Sequence, residues 1–474
     1  MKRIFNIMIM TSLIMMSCSK SFLDIVPEST VTTDILYKTD KDFQDAVTGC
    51  YVALRSSYND MYVYGDLRSD DSWHALGNNV VMNSINNFAE SSSENVFAST
   101  WRNYYLLIFR ANEILAKIEP LDPALIKNKD RHIAEAKFLR ALAYFDLVRI
   151  FGDVPKITKS MTIAEAYKSG RESVDNIYNE IIIPDLLAAE SGLLAKYTGL
   201  DVGRATIGAA KSLLGKVYLT THDFANAEAK LQEVTTMGYL LLPKYQDLFD
   251  YTKNEHHGEY VFDIEYIAGG LSLGSHFTNS FLPKSTGSFA DTYFNIKGGL
   301  GELNTPTMDL FKAFDPSDPR RIISCDTNHI FFKFFQISTF TRKYIAPTAS
   351  FNDSPANWKV IRYADVLLMY AEALNENNKV DLALTNLNRI RARVAMPTFT
   401  GLSKDQTRDK IYIERRFELA MEGQRWFDLV RTGRALTTLT PTGMKAYNTV
   451  FPIPLREIQV INNPAVFPQN QGYN

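Results

Sequence analysis

The stretch YADVLLMYAEALNENNKVDLALTNL, residues 363–387, decides the fold. Its apolar residues Ala371, Leu374, Val380, Ala383 and Leu387 follow one another at steps of three, six, three and four. A second stretch, LLGKVYLTTHDFANAEAKL, residues 213–231, repeats those steps through Gly215, Tyr218, Phe224, Ala227 and Leu231. Two segments that agree at five positions read as a repeated helix pair. In such a pair a small residue lets two helices approach, and large residues fill the groove between them.

This is the small-and-large pattern of the tetratricopeptide helix pair. A third copy starts at Ala141 and Tyr144 and is broken by Gly152 and Asp153. Outward from the repeats, Phe43, Ala46, Val47, Cys50, Tyr51 and Leu54 form one apolar stripe on a helix opening at Asp40. Further helices are predicted over Trp101 to Ile118, ended by Pro120 and Pro123, and over Arg131 to Ile150, stopped by Gly152 and Pro155. Tyr58 to Ser99 is rich in Asn, Ser and Asp, its aromatics lack helical spacing, and it reads as mostly loop. The fold class is therefore mainly α: a tetratricopeptide-like helical-pair scaffold with a long irregular insertion containing short strands. Helical repeats occupy about 41–237 and 358–433, the insertion about 238–357, and an extended C-terminal segment 434–474. Together, 41–474 is expected to be a single compound domain. In the insertion, Tyr260, Phe262, Ile264 and Tyr266 alternate with Val261, Asp263 and Glu265, which predicts a half-buried strand. Insertions of that length are usually functional.

The 474-residue chain carries a formal net charge of −2, so there is no basic excess for a phosphate backbone and no nucleic-acid partner is expected. Lys2 and Arg3 precede a short apolar run, Ile4 to Met16, and small Ser17 meets Cys18. Residues 1–17 read as an export signal, too short for a membrane span. Met15-Met16-Ser17-Cys18 resembles the lipobox of bacterial lipoproteins, with Met15 where Leu is more usual. That resemblance implies lipidation of Cys18 and a lipidated tether over 18–40. Cys50 and Cys325 are expected to be two buried thiols.

Five stretches carry a wider resemblance: Phe22-Leu23-Asp24; Phe138-Leu139-Arg140-Ala141 through Gly152-Asp153-Val154-Pro155; Arg362 to Glu376; Glu414-Arg415-Arg416 through Arg425-Trp426-Phe427-Asp428-Leu429-Val430-Arg431; and Phe451-Pro452-Ile453-Pro454 through Gly472-Tyr473. In this order they resemble the SusD/RagB family of Bacteroidetes outer-membrane lipoproteins. The resemblance implies a surface lipoprotein without catalytic activity, lipid-anchored in the outer membrane and facing outward. Its implied partner is a SusC-like TonB-dependent transporter, over which it acts as a lid, and its implied ligand is an oligosaccharide or, in some members, a peptide. Ser19-Lys20-Ser21 stand after the cysteine, where exported members often carry acids.

Glu414, Glu418 and Glu422 are four apart, with Arg415 and Arg425 placed to pair with Glu418 and Glu422, so a bracing ion-pair network is expected rather than an acid–base site. Phe417, Ala420, Phe427 and Val430 are expected on one helical stripe, and Arg389, Arg391 and Arg393 on a solvated face. No phosphate loop, nucleophile elbow or zinc-helix motif occurs, and no catalytic residue, cofactor or metal is expected. Sugar sites combine flat aromatics with planar polar groups. The densest such mixture holds Tyr62, Tyr64, Arg68, Asp70, Trp73, His74 and Asn78, with Tyr293 a second candidate in the insertion. Three functional readings follow: glycan or peptide capture; a lipid-anchored glycan hydrolase using Asp70 and Asp71; or a protein adaptor without a small ligand.

Overall fold

The computed structural model describes residues 37–74, 79–253, 255–283, 294–327 and 339–473. The export signal, Cys18, Asn78 and Tyr293 lie outside them. Its frame is a run of helices packed neighbour to neighbour: α1 (Asp40–Tyr58), α2 (Asn95–Ile118), α3 (Lys129–Phe151), α4 (Ile183–Gly192), α5 (Ile207–Thr220), α6 (Phe224–Thr235), α7 (Tyr363–Glu376), α8 (Val380–Arg393) and α9 (Lys404–Glu418), with α10 (Arg425–Arg431) after it. α1 begins with a capping box, in which the Thr39 side chain accepts from Asp42 N while the Asp42 carboxylate accepts from Thr39 N.

The two predicted pairs are α5–α6 and α7–α8. A Cβ on Gly215 would lie 2.6 Å from Leu231 Cδ2, so only glycine lets α6 approach this closely. Gly215→Val should therefore overpack a buried contact and cost about 1–3 kcal/mol, read as a lower urea midpoint at unchanged slope. The pairs stack on each other through α6 and α7. Asn377 Nδ2 donates to Phe224 O (2.9 Å) and Glu228 Oε2 (2.8 Å), and Lys379 Nζ meets Glu228 Oε1 at 2.6 Å.

β1 (Ser72–Trp73) pairs antiparallel with β3 (Thr305–Pro306), and β2 (Tyr260–Ile264) with β4 (Trp358–Arg362). β2 is not half-buried as its alternation suggests: Val261 and Asp263 are buried as well as Phe262 and Ile264. Phe262 meets Phe138 of α3 edge-on at 5.0 Å, while Asp263 is paired with Lys359 of β4 at 2.6 Å. A strand buried on both sides must carry its charges in pairs.

Tyr58 to Ser99 is more ordered than its composition suggests. It contains a π-helical turn, Val63–Leu67, a helix, Val80–Asn86, capped by the Asn79 side chain on Met82 N, and the start of α2. The C-terminal segment is likewise not simply extended: it carries helices Ala435–Leu439 and Leu455–Ile461, and Phe451 N donates to Ile150 O at the end of α3 (2.8 Å). Cys50 and Cys325 are free, buried thiols, and burial pushes the Cys50 thiol up to about 12.

The Glu414–Arg431 motif is a bracing network, but with other partners than expected. α9 ends at Glu418, and the chain turns through Met421 and Gly423, both at positive φ, before α10 begins. Glu422 is therefore not one helical turn beyond Glu418, and the stripe Phe417, Ala420, Phe427 and Val430 is split between two elements. Arg415 pairs with Asp365 (2.8 Å) and Asp428 (3.1 Å), and Arg425 reaches Asp70. Glu418 and Glu422 converge instead on Arg362 at the end of β4. Arg362 Nη1 meets Glu418 Oε1 at 2.5 Å and Glu259 Oε1 at 2.9 Å, while its Nε meets Glu422 Oε2 at 2.8 Å. Lys343 adds a contact to Glu422 at 2.6 Å, and Arg320 and Arg393 pair with Glu418. Arg391 and Arg393 are thus drawn inward, to Glu414 and to Glu259 with Glu418, rather than forming a solvated face; Arg389 alone of the three stays exposed.

Candidate functional site

Trp73 projects from a short, heavily braced strand. In the register of β1 and β3, Ser72 faces Pro306 and Trp73 faces Thr305. Thr307 N donates to Asp71 O (2.9 Å) and Thr307 Oγ1 to Asp70 O (3.0 Å). Ser72 Oγ donates to Asn304 Oδ1 (2.5 Å), and Asn304 Nδ2 donates to Asp66 Oδ2 (3.1 Å). On the far side His74 Nδ1 lies 3.0 Å from Glu302 O. The indole is 41% exposed on this base, whereas Trp101, Trp358 and Trp426 are buried as packing residues.

Two acids beneath the strand tie it to the helical frame. Arg425 holds Asp70 bidentately, Nε to Oδ1 at 2.7 Å and Nη2 to Oδ2 at 2.8 Å, and Arg416 Nε meets Asp71 Oδ1 at 2.6 Å. Burial alone would raise the Asp70 carboxyl, but Arg425 and Arg416 hold it below the usual range; burial raises Asp71. Both carboxylates are thus engaged by arginines, which fixes the strand under Trp73 to α9 and α10. Among the described residues no group of His, Cys, Asp and Glu is arranged to hold a metal ion.

The other described candidates are interior. Tyr62 packs edge-on against Phe281 at 5.1 Å, and Tyr64 against Phe451 at 5.0 Å with its hydroxyl on Val96 O. Arg68 is fully buried: its guanidinium lies 4.4 Å from the centres of both the Phe88 and Phe451 rings and pairs with Glu90 at 2.5 Å. His74 is buried too. These four side chains offer a ligand no surface, because tertiary packing claims the same aromatic and planar groups that composition marks as sugar-binding. Sequence reading also missed the β3 strap and the role of Arg416 and Arg425 under Trp73. Their partners lie hundreds of residues away along the chain, and no local spacing signals such contacts.

Residues 326–473 match a family model described as the SusD family, and residues 21–219 match another described as starch-binding associating with outer membrane. The chain belongs to the SusD family. Among curated SusD-like proteins, it is 28% identical to SusD-like protein P25 of Formosa agariphila, over 96% of this chain and 97% of that one. It is 27% identical to a SusD-like protein of Bacteroides ovatus, over 90% of this chain and 82% of that one. Among solved structures, a laminarin-binding SusD-like protein matches with a TM-score of 0.79 at 27% identity, covering 92% of this chain and 100% of that one. The SusD frame of paired helices with an irregular overlay is thus the frame that carries Trp73. Among the described residues, no helix is long and apolar enough to cross a membrane.

Proposed function

We propose that this SusD-family protein captures a glycan at the cell surface and delivers it to a SusC-like TonB-dependent outer-membrane transporter. It is held to the membrane by lipid on Cys18 and closes the transporter as a lid. The observation that carries the glycan reading is Trp73, an exposed indole on a rigid base braced by β3, Arg416 and Arg425. Sugar rings present apolar faces that stack on such a ring, and a preorganised ring loses little freedom on binding. The laminarin-binding relative supports the ligand class. With Asp70 and Asp71 engaged by arginines, the protein binds its ligand without turnover.

The test is calorimetry with laminarihexaose and maltohexaose on the soluble form beginning at Ser19, alongside Trp73→Ala. One glycan should bind, and the variant should weaken it by about tenfold to a hundredfold, or ~1.4–2.8 kcal/mol, at unchanged melting temperature. Full affinity retained in Trp73→Ala would remove Trp73 from the site, and turnover of the glycan would overturn the binding-only reading.

A further inference from the structure

A cavity of about 400 Å³ lies inside the helical frame, where α3, α5, α7 and α10 meet the short helix Val174–Ile177 and the segment at Thr449 and Val450. That falls within the range of about 300–1,000 Å³ typical of small-molecule sites. Val148, Leu219, Met369, Phe427, Val430 and Val450 give it apolar walls, and it shares no residue with β1, which carries Trp73, or with β3. Asp175, Thr221 and His222 are exposed, and the cavity opens to solvent there.

Two hydrogen-bond donors in this cavity are both unpaired and reachable. Arg149, near the end of α3, donates from Nε to Phe145 O (3.3 Å) and pairs through Nη2 with Asp146, while its Nη1 has no partner among the described residues. Its guanidinium lies 4.0 Å from the centre of the Phe145 ring and 4.1 Å from that of Phe427, contacts that hold its plane in place. The Tyr178 hydroxyl likewise has no partner among the described residues, and burial keeps it protonated, hence a donor. Neither atom is fully buried, so a ligand can touch both. Nearby, Lys216 Nζ donates to Asp365 Oδ2 (3.0 Å) and Gln424 Oε1 (2.8 Å). Burial, with Arg149 and Arg415 close by, pushes this ammonium down, and an anion beside it would offset that effect. The acids of the lining do not compete. Both oxygens of Asp428 accept from arginines, Arg431 (2.9 Å) and Arg415 (3.1 Å), which hold its carboxyl low against its burial, and Asp175 stands in solvent at the mouth. A guanidinium edge with a phenol beside it suits a carboxylate, and the walls suit an apolar stem.

We propose that this cavity binds a carboxylate carried on an apolar stem, its oxygens accepting from Arg149 Nη1 and the Tyr178 hydroxyl and its stem lying against Leu219 and Phe427. A fatty acid and the C-terminus of an apolar amino acid or peptide share that chemistry. Because the walls come from α3, α5, α7 and α10 together, an occupant would tie the first half of the helical frame to the Glu414–Arg431 motif and stabilise the fold.

The experiment titrates octanoate, N-acetyl-leucine and the primary amide of each into the form beginning at Ser19, and into its Tyr178→Phe and Arg149→Lys variants, by calorimetry. At least one carboxylate should bind: octanoate if the source is a fatty acid, N-acetyl-leucine if it is an amino acid or peptide terminus. Its amide, which keeps the stem without the charge, should bind about tenfold more weakly or worse. Tyr178→Phe keeps the ring and removes only the hydroxyl, so it should weaken the carboxylate by about tenfold at unchanged melting temperature. Arg149→Lys keeps a charge beside Asp146 and removes Nη1, with a similar loss; if it lowers the melting temperature, Tyr178→Phe decides alone. Trp73→Ala should bind the carboxylate as the parent does, which separates this site from the glycan platform. No binding of either carboxylate, equal binding of the amide, or full affinity in Tyr178→Phe would overturn the site.

Discussion

Arg362→Ala should destabilise the protein by about 3–5 kcal/mol, the range for breaking a buried ion pair from one side. Arg362 is buried at the end of β4 and contacts Glu259, Glu418 and Glu422. Removing it leaves three buried carboxylates without the cation they share. Chemical denaturation followed by circular dichroism should show the drop. A loss below about 1 kcal/mol, the scale of an exposed pair, would mean that Arg320, Lys343 and Arg393 carry the network without it.

The same variant should change how stability depends on pH. Burial alone would raise the Glu418 and Glu422 carboxyls, but the cations around them, Arg362 among them, hold both below the usual glutamate range. A carboxyl lowered in the folded state contributes stability that is fully present above its unfolded value and is lost as pH falls toward the folded one. The parent should therefore lose stability steeply on acidification below about pH 4.5, and Arg362→Ala, starting lower, should lose less.

Gly65→Ala should have the next largest effect, about 3 kcal/mol, at the upper end of overpacking costs. A Cβ on Gly65 would lie 2.1 Å from Gly423 O and 2.5 Å from Gly423 Cα. Both are backbone atoms, so no rotamer change relieves the clash. The neighbouring Asp66 accepts from Gly423 N (2.9 Å) and from Asn304 Nδ2 (3.1 Å), so this contact joins the strap under Trp73 to the turn that carries Glu422. Gly65→Ala should lower both the urea midpoint and glycan affinity, whereas Gly215→Val should lower the midpoint alone. Gly299, where a Cβ meets nothing within 4 Å, is the matched control. Equal stability of Gly65→Ala and Gly299→Ala would refute the close approach.

The helical frame was legible because its signal is local. The steps through Gly215 and Leu231, and through Ala371 and Leu387, correspond to real helix pairs, and the stripe from Phe43 to Leu54 to a real buried face. The π-helical turn at Val63–Leu67 was not legible, since it rests on the Asp66–Gly423 contact between segments far apart in the chain. Asn79, as a helix cap, was a local signal for Val80–Asn86 that the polar composition concealed. At the candidate site, sequence picked out Trp73 but could not separate it from Tyr62, Tyr64 and Arg68. Whether a ring faces solvent or a neighbour depends on Phe281, Phe451 and Phe88, which only the folded chain brings to it.

The stacking of α6 on α7 sets an order of assembly. Those neighbours are joined in the chain only through the whole irregular insertion, so their contact closes a very long loop. Contacts of high sequence separation form slowly, because the entropy of loop closure is spent before they give anything back. The α5–α6 pair can form early, but the α6 surface that meets α7 stays open until the C-terminal part of the chain has been made. During that interval the nascent protein offers other chains an apolar helical face. The interval before α7 arrives, rather than the finished fold, is then the most aggregation-prone stage.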